Sequence, residues 1–287
     1  VLPTSTNSQN IIICDGDSWT FGSEILNPSL NKIDDWEAEN DEFRLKRIYP
    51  TYLSKLFDCD VINLSWPADD NGSILRRTIN FITSNYLAKN VPTDDLFVII
   101  GWSSPERHSF WYKDDKFNGA FRLWPQVQHF DRPPQEDFWK LYVTYLWNRE
   151  EYLPRYVMNV LQFQNFCDSN NIKWLCFNAF YQTPERNPQD WEDMSVKEEL
   201  SDLNVHGNSY SENDIVERNH HQHDFASVWE TIDSVRFYKK DKPNNTFRSF
   251  IEKTGPENAW NNWHPSPKSH QAWANELYSY IDRNNLL

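Results

Sequence analysis

The sequence predicts an α/β protein, a three-layer α/β/α sandwich built on a parallel sheet. Short apolar runs typical of buried strands alternate with longer segments that have the apolar spacing of helices. Strands separated by helices form crossover units, which place helices on both faces of a parallel sheet. The run from Leu96 to Ile100 is continuously apolar, as expected of a strand covered on both faces. A chain of 287 residues can bury the core of one such fold, and we expect a single domain over 1–287.

Four strands and four helical segments are predicted in order along the chain. The strands are expected at 11–15, 60–64, 96–100 and 172–177. The helices are expected at 48–57, 72–88, about 136–170 and 266–284. The first of these helices places Pro50 in its first turn, where a missing N–H is tolerated. Two regions break the alternation, near 105–135 and 181–232, and we interpret both as insertions on the loop face of the sheet.

Net charge and hydropathy argue against two classes of partner, nucleic acids and membranes. The net charge of −14 argues against nucleic acid or an anionic membrane surface as the main partner. No stretch approaches the ~20 apolar residues of a membrane span. The N-terminus lacks the basic start and apolar core of a signal peptide, which favours a cytoplasmic location, or the host cytoplasm for a phage-encoded protein.

The cysteines and histidines give no metal signature. Cysteine pairs with CxxC or zinc spacing are absent, so buried free thiols are expected at Cys14, Cys59, Cys167 and Cys176. His221 and His223 have the spacing for chelation from a strand, with His206, His220 and Asp224 nearby. The helical zinc spacing is missing, and we favour a solvated insertion without a metal or cofactor.

The most informative stretch is residues 11–22, where the first predicted strand ends in Gly16-Asp17-Ser18 and Gly22 follows. A short polar segment at the end of a strand exposes a nucleophilic hydroxyl at the carboxyl edge of a sheet. The alternative is that Ser18 caps a helix N-terminus. A second candidate, His264, precedes the last predicted helix and is followed by Pro265 and Ser266. Both loops are expected on one sheet edge, so the histidine can serve as base for the serine.

Together these residues resemble the SGNH hydrolase superfamily, also called GDSL esterases/lipases. Gly16-Asp17-Ser18 resembles its first motif, and His264-Pro265 resembles its last, Asp-x-x-His-Pro. The resemblance spans nearly the whole chain and implies a flavodoxin-like sandwich, with Ser18 as nucleophile and His264 as base. Gly101-Trp-Ser-Ser-Pro-Glu-Arg107 also resembles uncharacterised GDSL-like proteins of large tailed bacteriophages.

The resemblance also assigns the remaining site positions, and this chain departs from the family pattern at several. Asn261 stands where the family has the aspartate that orients the histidine. An amide accepts a hydrogen bond from imidazole but supplies no charge. The family's oxyanion hole corresponds here to the Ser18 N–H, the Ala68 N–H and the Ser103 side chain. Asn71 and Arg107 are candidates to compensate for the short reach of a serine hydroxyl, and a plain loop at 101–107 is the alternative.

Aromatic residues concentrate near the predicted loop face, and they include Trp102, Phe110, Trp111, Tyr112 and Trp124. They fit core packing, an acyl pocket or a stacking platform for a sugar. We expect Trp102, Asn71 and Arg107 to line the substrate pocket.

The resulting hypothesis is a serine-dependent ester hydrolase that forms an acyl-enzyme on Ser18. Its substrate is an acyl or acetyl ester, and an ester of a carbohydrate is one candidate. Two alternatives stay open. One is a catalytically weak or inactive binding module on the same fold, which would explain Asn261 and Ser103. The other is a phage accessory protein.

Overall fold

The computed structural model describes residues 10–30, 38–113, 118–123, 133–147, 149–180, 225–240, 242, 245–254 and 264–287. The strands are β1 (Ile11–Gly16), β2 (Asp60–Asn63), β3 (Leu96–Trp102), β4 (His108–Lys113), β5 (Asn118–Leu123) and β6 (Lys173–Asn178). The first five helices are α1 (Ser18–Phe21), α2 (Ala38–Leu45), α3 (Tyr49–Phe57), α4 (Asn71–Asn85) and α5 (Pro133–Tyr145). They are followed by α6 (Arg149–Ser169), α7 (Phe225–Glu230), α8 (Phe247–Thr254) and α9 (Pro267–Arg283). A short 3₁₀ turn at Leu87–Lys89 follows α4.

The main sheet is parallel, with strand order β2-β1-β3-β6. This confirms the predicted fold class, an α/β sandwich with a parallel sheet. Beyond β6, isolated parallel bridges join Cys176 to Phe237 and Asn178 to Thr246, so the chain after α7 continues the edge of the sheet.

Helices cover both faces of the sheet, and alternate strand residues point to opposite layers. Ile13 and Val98 pack with α4 and α6, whereas Ile12 and Ile99 pack with α3 and α9. These four side chains are 0% exposed. Burying each apolar side chain contributes about 1.5–3 kcal/mol, which explains the apolar runs in β1, β3 and β6.

The strand order creates a crevice at the carboxyl ends of β1 and β3. The chain leaves β1 for β2 on one side and leaves β3 for β6 on the other, so the connections diverge between these two strands. In open parallel sheets this switch point is where ligands bind. The loops that start at Asp17 and at Ser103 both begin there.

Two predicted elements differ from the structure. The long helix expected at 136–170 is two helices, because the Leu146 and Trp147 N–H groups both bond to the Tyr142 carbonyl and close α5. Trp147 then stacks on Tyr152 with ring centroids 6.0 Å apart, so tertiary packing sets the break. The region near 105–135 contains the antiparallel hairpin β4–β5, which the sequence did not predict.

Of two further predictions, the one on the cysteines is confirmed and the one on the domain extent is not tested. All four cysteines are free and buried, as expected. The extent of the single domain stays a prediction, and most of the second insertion, 181–224, lies outside the described residues.

Candidate functional site

The turn from β1 into α1 holds Ser18 at the switch-point crevice. Asp17 is the N-cap of α1, and its carboxylate accepts the Trp19 N–H at 3.0 Å. Ser18 is the first helical residue, 6% exposed, so the alternative that Ser18 itself caps a helix is wrong. Its carbonyl accepts the N–H groups of Gly22 and Ser23, both at 3.0 Å, which fixes the single turn of α1.

Glycine is required where this turn meets β3. A Cβ on Gly16 would lie 2.3 Å from Thr20 Oγ1 and 2.8 Å from the Gly101 carbonyl oxygen. A Cβ on Gly101 would lie 2.8 Å from the Phe177 ring. The two backbones can therefore approach only without side chains, and this close approach brings the loops after β1 and β3 together.

Asp17 anchors a buried polar network between these loops. Its Oδ2 accepts the Ser103 hydroxyl at 2.7 Å and Arg107 Nη1 at 3.0 Å. Arg107 Nη1 also donates to Ser103 Oγ at 2.9 Å. The hydroxyl proton of Ser103 thus points to Asp17, and Arg107 neutralises a carboxylate that is 0% exposed. Charge-assisted bonds of this kind are stronger than neutral ones.

Asn71 fixes the start of the loop after β3. Its Oδ1 accepts the Ser103 N–H at 2.7 Å, and its Nδ2 donates to the Ser103 carbonyl at 3.1 Å. Asn71 is the first residue of α4 and 3% exposed. Hydrogen bonds therefore join the sequence-predicted residues Asn71, Ser103 and Arg107 to Asp17, the chain neighbour of Ser18.

A second buried carboxylate, Asp15, lies next to the same turn at the end of β1. Asp15 is 0% exposed and accepts Arg77 Nε at 3.1 Å and the Thr78 hydroxyl at 2.7 Å. Arg77 also pairs with Asp69 and donates to the Gly16 carbonyl at 3.2 Å. Burial raises the pKa of Asp15 to about 6, against the opposite effects of Arg77 and Thr78.

Ala68 occupies a backbone conformation that favours glycine. Its φ is 61°, and the loop is tied to the β1 end because the Trp66 N–H donates to the Gly16 carbonyl at 3.2 Å. A non-glycine residue at positive φ is strained, and Ala68 shares this conformation with six other described residues. Among the described residues, neither the Ser18 N–H nor the Ala68 N–H has a hydrogen-bond partner.

His264 contacts the turn that follows α1. Its Nδ1 lies 3.3 Å from Glu24 Oε2, and the two side chains are 21% and 28% exposed. The contact lacks the alignment of a hydrogen bond, since Nδ1 has no bonded partner among the described residues. Glu24 is six residues from Ser18, so His264 lies against the segment that continues from the Ser18 turn.

A second histidine is buried near the first. His270 in α9 is 0% exposed, and its Nδ1 accepts the Tyr49 N–H at 3.2 Å. The Tyr49 hydroxyl in turn donates to Thr20 Oγ1 at 3.3 Å, so α9 is linked to α1 through α3. Burial, together with the nearby His264, lowers the pKa of His270 to about 3, and His270 is neutral in the folded protein.

Trp102 was expected to line the substrate pocket, and this expectation is wrong. Trp102 is 0% exposed and packs edge-on against Phe163 and Tyr156, at 6.0 and 6.4 Å between ring centroids. It is a core residue, because the last residue of β3 points into the helical layer. Phe110 stacks on His108 at 4.2 Å, within the hairpin.

Asn261 and Trp124 lie outside the described residues, as do the histidines at 206, 220, 221 and 223. Within the described ranges, no group of three His, Cys, Asp or Glu side chains has the arrangement of a metal site. In the same ranges, every helix is too short or too polar to cross a membrane.

Sequence reasoning missed the charged partners of the site, which are Asp15, Asp17, Glu24 and Arg77. Asp15 and Asp17 were visible as acidic residues beside Ser18, but their burial was not. The contact of Glu24 with His264 joins distant parts of the chain, and no local pattern marks it.

The chain is similar to several solved esterase structures. The esterase EstA from Pseudoalteromonas sp. is 12% identical, with 96% of this chain and 97% of that chain covered and a TM-score of 0.48. The acetylxylan esterase Axe2 from Geobacillus stearothermophilus is 14% identical, with coverage of 96% and 94% and a TM-score of 0.42. A putative lipolytic protein of the G-D-S-L family from Desulfitobacterium hafniense is 11% identical, with coverage of 94% and 99% and a TM-score of 0.42. TM-scores below 0.5 carry no conclusion about chemistry, which has to come from this chain's own residues.

No curated protein matches the chain, and the likeness to bacteriophage proteins stays a prediction. One family model matches residues 30–197, more than half of the chain, and its description is "Family of unknown function (DUF6071)". The protein therefore belongs to this family of unknown function.

Proposed function

We propose that the protein is a serine-dependent ester hydrolase that forms an acyl-enzyme on Ser18. The observation that carries the proposal is the contact of His264 with Glu24, a residue of the segment that continues from the Ser18 turn. Nδ1 of His264 faces this carboxylate, which leaves Nε2 as the edge of the ring available to a hydroxyl. A base oriented by a third group is the arrangement that activates a serine.

The oxyanion donors of the proposal are backbone N–H groups. Those of Ser18 and Ala68 have no partner among the described residues, and the positive φ of Ala68 supports a special role for its backbone. Arg107 compensates the charge of Asp17, so the buried carboxylate beside Ser18 does not repel a developing oxyanion. Asn71 holds the Ser103 backbone and thereby the shape of the crevice.

The reaction follows from these roles. Ser18 Oγ attacks the ester carbonyl carbon while its proton moves to His264 Nε2. The tetrahedral oxyanion is stabilised by the Ser18 and Ala68 N–H groups, and the C–O bond to the leaving alcohol breaks as Nε2 returns the proton. Water then attacks the acyl-enzyme with His264 again as base, releasing the acid. The substrate class we propose is a small acyl or acetyl ester, including esters of carbohydrates.

A non-catalytic binding module is the second candidate. It is favoured by the Ser103 hydroxyl, whose proton points to Asp17 rather than into the crevice. It is also favoured by the amide at Asn261.

Hydrolysis of p-nitrophenyl acetate separates the two candidates. The wild-type protein should hydrolyse the ester above the buffer rate, and Ser18→Ala should fall to that rate, because the nucleophile is lost. Ser84→Ala, a change of an exposed serine in α4, is the control and should keep the wild-type rate. A wild-type protein at the buffer rate supports the binding module instead.

A further inference from the structure

The carboxylate in contact with His264 comes from an unexpected part of the chain. The position three residues before His264 is Asn261, whose amide carries no charge. When a serine transfers its proton to histidine, the imidazolium that forms is stabilised by a nearby carboxylate. Glu24 Oε2 is 3.3 Å from His264 Nδ1 and can supply this charge.

The turn after α1 holds Glu24 in place by its backbone. Gly22 has a φ of 85° and Glu24 a φ of 66°, so the chain reverses tightly over these residues. Helix α2 fastens the turn at both sides, since Arg44 Nη1 donates to the Phe21 carbonyl at 2.6 Å and Asn40 Nδ2 to the Ile25 carbonyl at 2.9 Å. The position of the Glu24 backbone relative to Ser18 is therefore fixed by a short, braced segment.

The His264 ring presents its Nδ1 edge to Glu24. Nδ1 of His264 is buried, and the carboxylate is the acidic group in contact with it among the described residues. The other titratable neighbour from α9 is His270, which is neutral and does not compete for the carboxylate. Histidine–acid contacts in ligand-free sites are often long or poorly aligned and tighten when substrate binds, which fits the 3.3 Å contact here.

We infer that Glu24 is the positioning residue for His264, holding its Nδ1–H and stabilising the imidazolium in place of the carboxylate that Asn261 lacks. The inference rests on the proposed function. The serine proton moves to Nε2 and from there to the leaving alcohol, while the Nδ1 proton stays on the ring and Glu24 stays ionised throughout. The nucleophile and the supporting carboxylate thus come from one segment, 18–24, and the base comes from near the other end of the chain.

The test compares kcat and KM for p-nitrophenyl acetate in four variants. Glu24→Gln should lower kcat about 10–100-fold with KM unchanged. This is less than the ~10⁴-fold loss in a serine protease triad, because the pair is partly exposed. Glu24→Asp should recover part of kcat, since it restores a carboxylate. Glu42→Gln removes an exposed glutamate that pairs with Lys46 on α2, and it should match the wild type. Asn261→Asp should stay within about twofold, because the charge is already supplied.

A spectroscopic readout separates positioning from a merely structural role. After a phosphonate has modified Ser18, the Nδ1–H proton of His264 should resonate downfield in the wild type and in Glu24→Asp. The resonance should be lost in Glu24→Gln, whose folding is verified by its melting temperature. If Gln weakens the turn, recovery of kcat and of the resonance in Glu24→Asp still decides the matter.

The outcomes distinguish two failures. A wild type without hydrolysis, or a Ser18→Ala variant that keeps it, overturns the proposed function and the inference with it. Hydrolysis that requires Ser18 while Glu24→Gln keeps wild-type kcat and the downfield proton overturns the inference alone.

Discussion

The two sides of the candidate site are built differently. On the serine side, Asp15 and Asp17 are 0% exposed, and each carboxylate accepts several hydrogen bonds, including one from an arginine. On the histidine side, the contact between His264 and Glu24 is half-buried and lacks the alignment of a hydrogen bond. The serine side is thus a buried hydrogen-bond network, and the histidine side is a partly exposed pair of side chains.

Because of this difference, we expect the buried network to contribute mainly to stability and the Glu24–His264 pair mainly to activity. Removing a partner from a buried pair strands a charge and costs stability, whereas partly exposed pairs contribute little to folding. Changes to the arginines that pair with Asp15 and Asp17 should therefore appear first in unfolding experiments. Changes to the Glu24–His264 pair should appear first in kinetics.

The largest expected effect on stability is that of Arg77→Met. The change leaves Asp15 and Asp69 buried without their cation, so the free energy of unfolding at pH 7 should fall by about 3–5 kcal/mol. The deficit should shrink below pH 6, because Asp15, whose pKa is already about 6, is then protonated. Urea unfolding measures both effects, with Arg76→Met, a change of an exposed neighbour in α4, as the control. An equal loss in the control would contradict the buried-network account.

At neutral pH, a smaller effect than that of Arg77→Met is expected from changing the buried His270. The pKa of His270 is about 3 when folded against 6.5 for an unperturbed histidine, so the unfolded chain binds more protons between these values. Its contribution to stability is complete above pH 6.5 and is lost as pH falls towards 3. In His270→Gln, which never charges, unfolding free energy should decline with falling pH by up to ~1.4 kcal/mol per unit less steeply than in the wild type.

The matching measurement is urea unfolding of both proteins at several pH values within that window. At neutral pH, His270→Gln should be the less stable of the two, because the stacked ring and its bond to the Tyr49 N–H are disturbed. Identical pH slopes would show that His270 is not buried in the neutral state.

The sequence predicted the sheet well because β1, β3 and β6 contain apolar runs. Strand β3 was expected at 96–100 and extends to Trp102, and β6 lies one residue later than expected. The break between α5 and α6 escaped prediction because no glycine or proline marks it. The hairpin β4–β5 escaped because Asn118-Gly119, a pair typical of hairpin turns, belongs to β5 itself.

The candidate site was predictable only in part. Ser18, Asn71, Ser103 and Arg107 were identified from their places after strands and from the family resemblance. Hydrogen bonds join the last three to Asp17, the chain neighbour of Ser18. The pairing of Glu24 with His264 depends on a three-dimensional contact between the two ends of the chain, which no local sequence pattern encodes. Trp102 was misassigned because an aromatic residue at a strand end fits both a core and a pocket.

The most direct test of the central claim is covalent labelling of the nucleophile. The protein is incubated with a fluorophosphonate, which reacts with activated serines, and the modified peptide is identified by mass spectrometry. We predict one label on Ser18 in the wild type, slower labelling in Glu24→Gln and none at this position in Ser18→Ala. An unlabelled wild-type protein, or a label on another residue that persists in Ser18→Ala, would contradict a nucleophilic role for Ser18.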